Sequence, residues 1–415
     1  MNRWLALLAA GVALSATPAA AQRTDLPPND KVAEALDNHP DVASATARLA
    51  YSRARGAMLR SGPQEITVNS SFVRRNVDRE RGYDEFDATV SRVFRLPAKA
   101  SLDRKAGELG VEVAENEMED MRHQTSLILS DLWHDWITAG THYRNDQESV
   151  RGLEEAVTAV RRRLALRDAA QLDVDQAMAA LAQARTQSAV TLSSREQARV
   201  KLAASFPEIP LPAEPVELAA PVLPALELRA LRDLVVTRSH EIRAAEREAQ
   251  RQDILARRAK ADRIPDPSFG IRLFSERGGA ETGAGVVASM PLGGAYRRSA
   301  DQEAAALANA ARFELAAVQR EIRGVADADM SNALTRLDAW RSAEAAVRST
   351  AEAAARTARA YQAGQIDLAD LLFAQRQARD VRRAEIDARS EAARALLKIQ
   401  IDSHTVWAPA EEHEQ

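Results

Sequence analysis

Cysteine is absent from the sequence, and its absence excludes several kinds of chemistry at once. Without thiols the chain can form no disulfide, no thiolate metal site and no cysteine nucleophile, although the absence alone does not assign a compartment. Aromatic residues are also scarce, at 4% of the 415 residues, whereas 46% of the residues are hydrophobic. A chain dominated by alanine, arginine and glutamate is typical of long helices rather than of a thick globular core.

A strong charge of either sign is missing too. The formal net charge is −4, and this near balance argues against nucleic acid as the main partner. The sequence also lacks a Walker phosphate-binding loop, a Gly-x-Gly-x-x-Gly fingerprint and a nucleophile elbow. We therefore predict that the protein is not an enzyme and holds no cofactor.

Long apolar runs are confined to the N-terminal region. Asn2 and Arg3 precede an apolar stretch over residues 4–14, and small residues at 19–21 come before Gln22. This pattern predicts a secretory signal peptide over residues 1–21, whereas a membrane anchor would need a longer apolar run. No later segment approaches the ~18 apolar residues of a membrane-spanning helix. Because no cysteine follows the apolar stretch, we expect no lipid anchor on an N-terminal cysteine.

Proline is absent from two long stretches, residues 98–206 and 292–408. In the second stretch apolar or small residues recur at steps of three and four, which is the spacing of a helix with coiled-coil character. A helix of ~65 residues would be on the order of 100 Å long. Gly364 is the only glycine after Gly324. We therefore predict two long antiparallel helical hairpins, with bends near residues 167–172 and 364–367.

The two halves of the chain repeat each other. Asp370 follows Asp173 by 197 residues in similar surroundings, and the helix start at His39 resembles the one at Ser239. Self-similarity of this kind indicates duplicated structural units. We predict a first repeat over residues 22–206, a proline-rich linker over 207–225, a second repeat over 226–407 and a tail over 408–415. The linker should be stiff and extended.

Each repeat also contains two short runs in which apolar and polar residues alternate. The runs predict strands over residues 65–75, 86–95, 267–275 and 282–291. Strands with this alternation can cross an outer membrane as part of a closed barrel, and the alternative is a two-sided sheet on a soluble domain. Four strands cannot close a barrel, so copies must combine, and three copies would supply twelve strands.

Two sets of polar residues are candidates for a functional role. His123 and His134 fall near one helical face, but no His-x-x-x-His pair exists, and we favour packed or exposed histidines over a metal site. Asp173 and Asp370 lie at the bends. Carboxylates brought together from three copies would form a ring that favours cations, whereas the alternative is that each caps or braces a neighbouring helix.

Together these features resemble the TolC family of outer-membrane efflux channels. The resemblance rests on the duplicated halves, the His39-Pro40 helix start, the Val287-Ala-Ser-Met-Pro-Leu-Gly-Gly294 strand exit and the Tyr361-x-x-Gly364-x(5)-Asp370 bend. It implies a mainly α fold with a small β part. In that fold long hairpins form a periplasmic α-barrel, and four strands per chain contribute to a trimeric twelve-stranded β-barrel.

The resemblance also implies partners and site residues. A homotrimer in outer-membrane lipid would meet a periplasmic adaptor protein and an inner-membrane pump of the RND or ABC type. Asp370 and Asp367 would stand at the pore entrance. The adaptor-contacting tip would be formed by residues of both bends: Arg167, Asp168, Asp173, Gly364, Gln365 and Leu368. The chain departs from the family pattern in having Arg167 in place of a bend glycine and Phe373 in place of a second acidic residue.

Within the family the chain is most similar to the CzcC-like branch, which serves heavy-metal export by RND-type pumps. The alternatives are a multidrug outlet or a type I secretion outlet. A periplasmic adaptor or a structural coiled-coil protein is a further alternative. An adaptor would have one hairpin between two lipoyl-like halves, and a plain coiled coil would not need the four alternating strands.

Overall fold

The computed structural model of the protein describes residues 25–408, so the predicted signal peptide and the tail beyond Ala408 lie outside the described residues. Within this range the chain forms eight α-helices and four β-strands. In chain order they are α1 (Asn29–Asn38), α2 (Pro40–Ser61), β1 (Ile66–Arg75), β2 (Tyr83–Val93), α3 (Pro97–Ala165), α4 (Gln171–Ser205), α5 (Leu228–Arg238), α6 (His240–Ala261), β3 (Ser268–Glu276), β4 (Glu281–Ser289), α7 (Ala295–Gln362) and α8 (Leu368–Asp402). The predicted fold class, mainly helical with a four-stranded part, is confirmed.

The second six elements repeat the order of the first six. The helices α2 and α6 have 22 residues each, α4 and α8 have 35 each, and α3 and α7 have 69 and 68. The strands begin and end within three residues of their predicted bounds, the largest difference being the start of β2 at Tyr83. The predicted start of β2 was too late because the loop before this strand is charged and the first residues of the strand resemble the loop.

The two arms of each helical hairpin differ in length, as the predicted positions of the bends within the proline-free stretches imply. The returning helices α4 and α8 are only about half as long as α3 and α7. Along the remaining part the long helices pack against α2 and α6 instead. The arm α4 stops at Phe206 because Pro207 follows, and proline cannot continue a helix.

The helix starts follow from residues that need no backbone donor or that supply an acceptor. Pro40 and Pro97 occupy the first turns of α2 and α3, where a missing N–H has no cost. The hydroxyl of Ser239 accepts a hydrogen bond from the backbone N–H of Ile242 at the start of α6, at 3.1 Å. These local signals fix where each helix begins.

The four strands form one antiparallel sheet in the order β1-β2-β3-β4. Each hairpin belongs to one repeat, and the pairing of β2 with β3 joins the two repeats through partners that run from Phe86 and Ser275 to Val93 and Ser268. Within the described chain, β1 and β4 each have one neighbouring strand and therefore one open edge.

Buried apolar residues form three separate clusters along the helices rather than one central core. The first surrounds Trp133 and Trp136 of α3, and the linker covers it with Ile209 and Leu218. There Gly140 allows the linker to approach, because a Cβ atom at this position would stand 2.1 Å from the ring of Pro215. The second cluster lies at the two bends and the third lies between α5, α7 and α8.

Where the strands meet the helices, a network of ion pairs joins the repeats. The Lys99 side chain is 2% exposed, and its ammonium lies 3.0 Å from Asp262 and 2.9 Å from Asp266. Asp103 accepts hydrogen bonds from Arg95 at 2.9 Å and from Arg258 at 2.6 Å. Arg95 also donates to the carbonyls of Leu59 and Arg60, which end α2.

The carboxyl group of Asp262 shows how the network shifts a pKa. Burial alone would raise the pKa of Asp262, but hydrogen bonds from Arg258 and Lys99 lower it below its usual range. A carboxylate with a lowered pKa stabilises the fold above the pKa of the unfolded chain, and this stabilisation is lost as the pH falls through the lowered value. The network therefore holds at neutral pH.

We predict that Lys99→Met destabilises the protein by roughly 2–4 kcal/mol, because it leaves the carboxylates of Asp262 and Asp266 without their buried partner. Thermal loss of the helical circular dichroism signal measures this effect. Lys105→Met is the control, since Lys105 pairs with Glu108 on the exposed surface and such pairs contribute about 0–1 kcal/mol. Equal effects of the two substitutions would contradict a structural role for the network.

Candidate functional site

One face of the sheet is apolar across all four strands. The register places Val68 opposite Val90, Val90 opposite Ile271 and Ile271 opposite Val286, so that these residues form a continuous row. The neighbouring rows add Phe72, Phe86, Leu273 and Phe269 to the same face. No helix among residues 25–408 covers this face, and Val286 is 82% exposed. An apolar surface of this extent on a water-facing sheet marks an interaction site.

The opposite face of the sheet carries mainly polar and small residues. Asn69, Thr89, Arg272 and Gly285 form one of its rows. The Arg272 guanidinium pairs with the carboxylate of Asp87 and lies over the ring of Phe274, with 5.5 Å between the guanidinium carbon and the ring centroid. The sheet therefore has one face suited to hydrocarbon and one suited to water, which is the alternation of barrel strands.

The two bends have the same backbone geometry in both repeats. Arg167 and Gly364 occupy the left-handed region with φ of 61° and 71°. The N–H of the following residue then reaches back to close the turn, from Asp168 to the Arg163 carbonyl at 2.8 Å and from Gln365 to the Ala360 carbonyl at 2.9 Å. This is the Schellman motif that ends helices. The first bend thus forms without the expected glycine, with Arg167 in a conformation that favours glycine.

The two returning helices are capped by carboxylates at different positions. In α4 the Asp173 carboxylate accepts a hydrogen bond from the backbone N–H of Ala170, at 2.9 Å. In α8 the Asp367 carboxylate accepts from the backbone N–H of Asp370, also at 2.9 Å. Asp367 stands at the position of Ala170, and Asp370 at that of Asp173. Of the two roles considered for carboxylates at the bends, a helix cap or part of an acidic ring, the cap therefore applies to Asp173 and to Asp367.

Asp370 is the bend carboxylate that the caps do not use. Its side chain is exposed, and within residues 25–408 it makes no hydrogen bond or ion pair. Phe373 lies one turn further along the same face of α8 and is also exposed. The corresponding position of the first repeat is Gln176. The second bend therefore presents a carboxylate that no cap uses, beside an aromatic ring, whereas the equivalent carboxylate of the first bend, Asp173, is engaged in its cap.

The predicted tip residues fall into exposed and buried groups. Arg167, Asp168, Gly364 and Gln365 are exposed. Leu368 is only 2% exposed and packs in the bend cluster with residues of α3 and α4. The first turn of the amphipathic helix α8 directs the Leu368 side chain inward, and its contact with an adaptor stays a prediction.

The two bends also contact each other directly. The Arg163 guanidinium carbon lies 5.2 Å from the ring centroid of Tyr361, and its Nε donates to the Asp168 carboxylate at 2.9 Å. The hydrogen bond to Asp168 and the neighbouring Tyr361 raise the pKa of Arg163. Sequence reasoning missed Arg163. Its place in the last turn of α3 was the available signal for the contact with Asp168, since a basic side chain near a helix C-terminus can reach the groups of the following turn.

The candidate metal histidines do not come together. The His134 ring is buried with its Nδ1 2.8 Å from the Ser130 carbonyl, whereas His123 lies 3.1 Å from the Asp402 carboxylate. In the part of the chain that the structure describes, no three potential metal-ligating side chains are grouped to hold an ion. None of the helices between residues 25 and 408 is both long and apolar enough to cross a membrane.

A four-stranded sheet with one apolar face, set on a pair of long helical hairpins, is the fold of bacterial outer-membrane channels. The outer-membrane channel OprN superimposes with a TM-score of 0.77 at 20% identity, over 92% of this chain and 90% of that chain. The outer-membrane protein VceC of Vibrio cholerae gives 0.75 at 17% identity, over 90% and 95%. The open-state MtrE channel of Neisseria gonorrhoeae gives 0.72 at 16% identity, over 90% and 88%. No protein-family model matches the sequence, and neither does any curated protein.

We predict that Asp367→Ala destabilises the protein by about 1 kcal/mol, because α8 loses its N-terminal cap. Asp370→Ala should cost less, since only the attraction between a charge and the helix N-terminus is lost. In the first repeat the same substitution at Asp173 should act like Asp367→Ala. Denaturant unfolding of the three variants measures this order. An effect of Asp370→Ala as large as that of Asp367→Ala would show that Asp370 is a structural residue.

Proposed function

We propose that the protein is one subunit of a trimeric outer-membrane channel, the passive exit duct of a tripartite efflux system. The observation that carries this proposal is the uncovered apolar face that runs across the four strands. The fold shared with solved outer-membrane channels supports it. The resemblance to the TolC family rests on independent features of the sequence and agrees with it.

The open edges of the sheet support the trimer. In hydrocarbon every backbone polar group needs a partner, so spanning strands must close into a barrel. Here β1 and β4 each have an open edge, and β4 of one copy would pair with β1 of the next. Three copies would supply twelve strands, enough to surround a water-filled lumen lined by the polar face.

In this arrangement the helices extend from the barrel into the periplasm and end at the bends. We propose that Arg167, Asp168, Gly364 and Gln365 contact a periplasmic adaptor, since they are exposed at the ends of the hairpins. An inner-membrane pump of the RND or ABC type would deliver the cargo. The chain itself would carry out no reaction.

Asp370 supports a preference for cations at the entrance. Its carboxylate is exposed and unused by the cap, and three copies would bring three such carboxylates together. Rings of acidic side chains are a common basis of cation selectivity in pores. Heavy-metal cations remain the cargo predicted from the resemblance to the CzcC-like branch. Asp367 stays near the entrance but acts as a cap.

The membrane orientation of the sheet can be tested with two adjacent valines. Val286→Arg places a charge on the apolar face and should cost roughly 2–4 kcal/mol near the bilayer midplane, which reduces assembly in the outer membrane. Val287→Arg is the matched control, because Val287 shares the polar face with Gly270. The amount of heat-modifiable trimer in membrane fractions measures the difference. Equal tolerance of both substitutions would overturn the proposed barrel.

Ion selectivity tests the entrance. Asp370→Asn should lower the preference for cations in planar-bilayer recordings of the purified channel and leave the trimer intact. Asp173→Asn is the control from the other repeat, since asparagine can keep the hydrogen bond to Ala170. A lower thermal stability of Asp370→Asn together with unchanged reversal potentials would contradict the acidic ring.

A further inference from the structure

A cluster of titratable residues joins five segments of the chain about halfway along the long helices. The His123 ring on α3 stacks on His404, with 5.2 Å between ring centroids, and His404 contacts His240 of α6 at 4.7 Å. His123 also lies 3.1 Å from the Asp402 carboxylate at the end of α8. Neither the bends nor the sheet includes these residues.

An ammonium group extends the cluster to α7. The Nζ atom of Lys398 lies 2.5 Å from Asp402 and 2.8 Å from Asp329. Both carboxylates are almost fully buried, so the cluster is not a solvated surface pair. Asp329, Lys398, Asp402 and His123 therefore form a continuous chain of contacts between the second repeat and the first.

The C-terminal segment, residues 403–408, is held against this cluster. Arg122 donates to the carbonyl of Trp407 at 3.0 Å, and Arg238 of α5 donates to the carbonyls of Ser403 and His404 at 3.3 and 3.2 Å. His404 has φ of 54°, in the left-handed region, so the segment adopts a conformation that contacts must maintain. A pocket lined by Glu119, Ser126 and Trp407, among others, opens onto the histidines.

We propose that these residues form a proton-operated clasp between the two repeats, which tightens as the surrounding solution becomes mildly acidic. The proposal concerns the stability of the chain and does not depend on its action as a channel. The clasp consists of Asp329, Lys398, Asp402, His123, His240 and His404.

The groups that face His123 favour its charged form. Asp402 of α8 pairs with it, Glu241 of α6 and Asp120 of α3 itself act on it through their charges, and His404 of the C-terminal segment stacks on its ring. Glu119, Arg122 and His240 line the same pocket. Burial lowers the pKa of His123, but the hydrogen bond to Asp402 and the charges of Asp402, Glu241 and Asp120 raise it above its usual value.

Two carboxyl groups, Asp329 in the clasp and Asp120 beside it, also take up protons more readily than usual. Burial, together with the neighbouring Asp402, raises the pKa of Asp329 to about 7. Burial, together with the charge of Glu241, raises the pKa of Asp120 to about 6. Burial would raise the pKa of Asp402 as well, but His123, Asp329 and Lys398 lower it, so that Asp402 stays ionised and holds its partners.

The raised pKa values of His123, Asp329 and Asp120 all change stability in the same direction. A histidine with a raised pKa stabilises the fold below the pKa of the unfolded chain, and this is lost as the pH rises through the folded value. A carboxyl group with a raised pKa destabilises the fold above that value, and the penalty disappears as the pH falls toward the value of the unfolded chain. Between about pH 8 and about pH 5, acidification therefore strengthens the clasp.

The test is the thermal midpoint of the full-length protein in detergent, measured from about pH 8 to about pH 5.5. For the unaltered protein we expect the midpoint to rise as the pH falls. Asp329→Asn keeps the shape of the side chain but cannot titrate, and His123→Gln removes the imidazole. In each variant the rise should be smaller than in the unaltered protein, because one of the contributing groups no longer titrates.

His142→Gln is the matched control, because it removes a similar contact between α3 and α8, the 2.7 Å pair of His142 with Asp387, outside the clasp. It should keep the full rise. A flat or falling midpoint in the unaltered protein would overturn the proposal. So would a full rise in both Asp329→Asn and His123→Gln, since other groups would then be responsible.

Discussion

Backbone hydrogen bonds between β2 and β3 hold the two repeats side by side, and the positions of the long helices depend on this pairing. Because each strand continues into a helix within a few residues, the pairing brings the start of α3 next to the end of α6. The ion pairs of Lys99 with Asp262 and of Arg258 with Asp103 then tie the start of α3 to the end of α6.

Along their length the long helices change partners once. From the junction to about the midpoint α3 and α7 pack against α2 and α6, and beyond it they pack against α4 and α8. The first and third apolar clusters lie in this middle region. The cluster of His123, His240 and His404 stands there too, so the place where the partners change is also where the repeats are most strongly tied by side chains.

The sequence allowed the fold class, the strands and the bends to be predicted, because each depends on local patterns. Alternation along the strands, missing prolines and Gly364 are readable without knowledge of distant residues. The packing of the long helices against α2 and α6 was not predicted, since it depends on contacts between residues far apart in the sequence. The left-handed conformation of Arg167 was equally hidden, because its side chain gives no signal that the backbone there must turn.

The candidate site was predicted less completely for a related reason. Asp367 and Asp370 look equivalent in the sequence, and only the hydrogen bond from the Asp370 N–H shows which of them is the cap. The inward direction of Leu368 depends on where the helix starts, to within one residue. The contact of Arg163 with Tyr361 joins residues almost 200 positions apart, beyond the reach of any local pattern.

The displacement of the cap by three residues between the repeats bears on how such a protein can evolve. In the first repeat one aspartate, Asp173, is tied to the integrity of its helix. In the second repeat Asp367 is the cap. Asp370 can therefore be replaced during evolution without a compensating substitution elsewhere in the helix. The second repeat therefore has, three residues after its cap, a position that single substitutions can change while the helix start stays intact, whereas a substitution at the same position of the first repeat removes the cap.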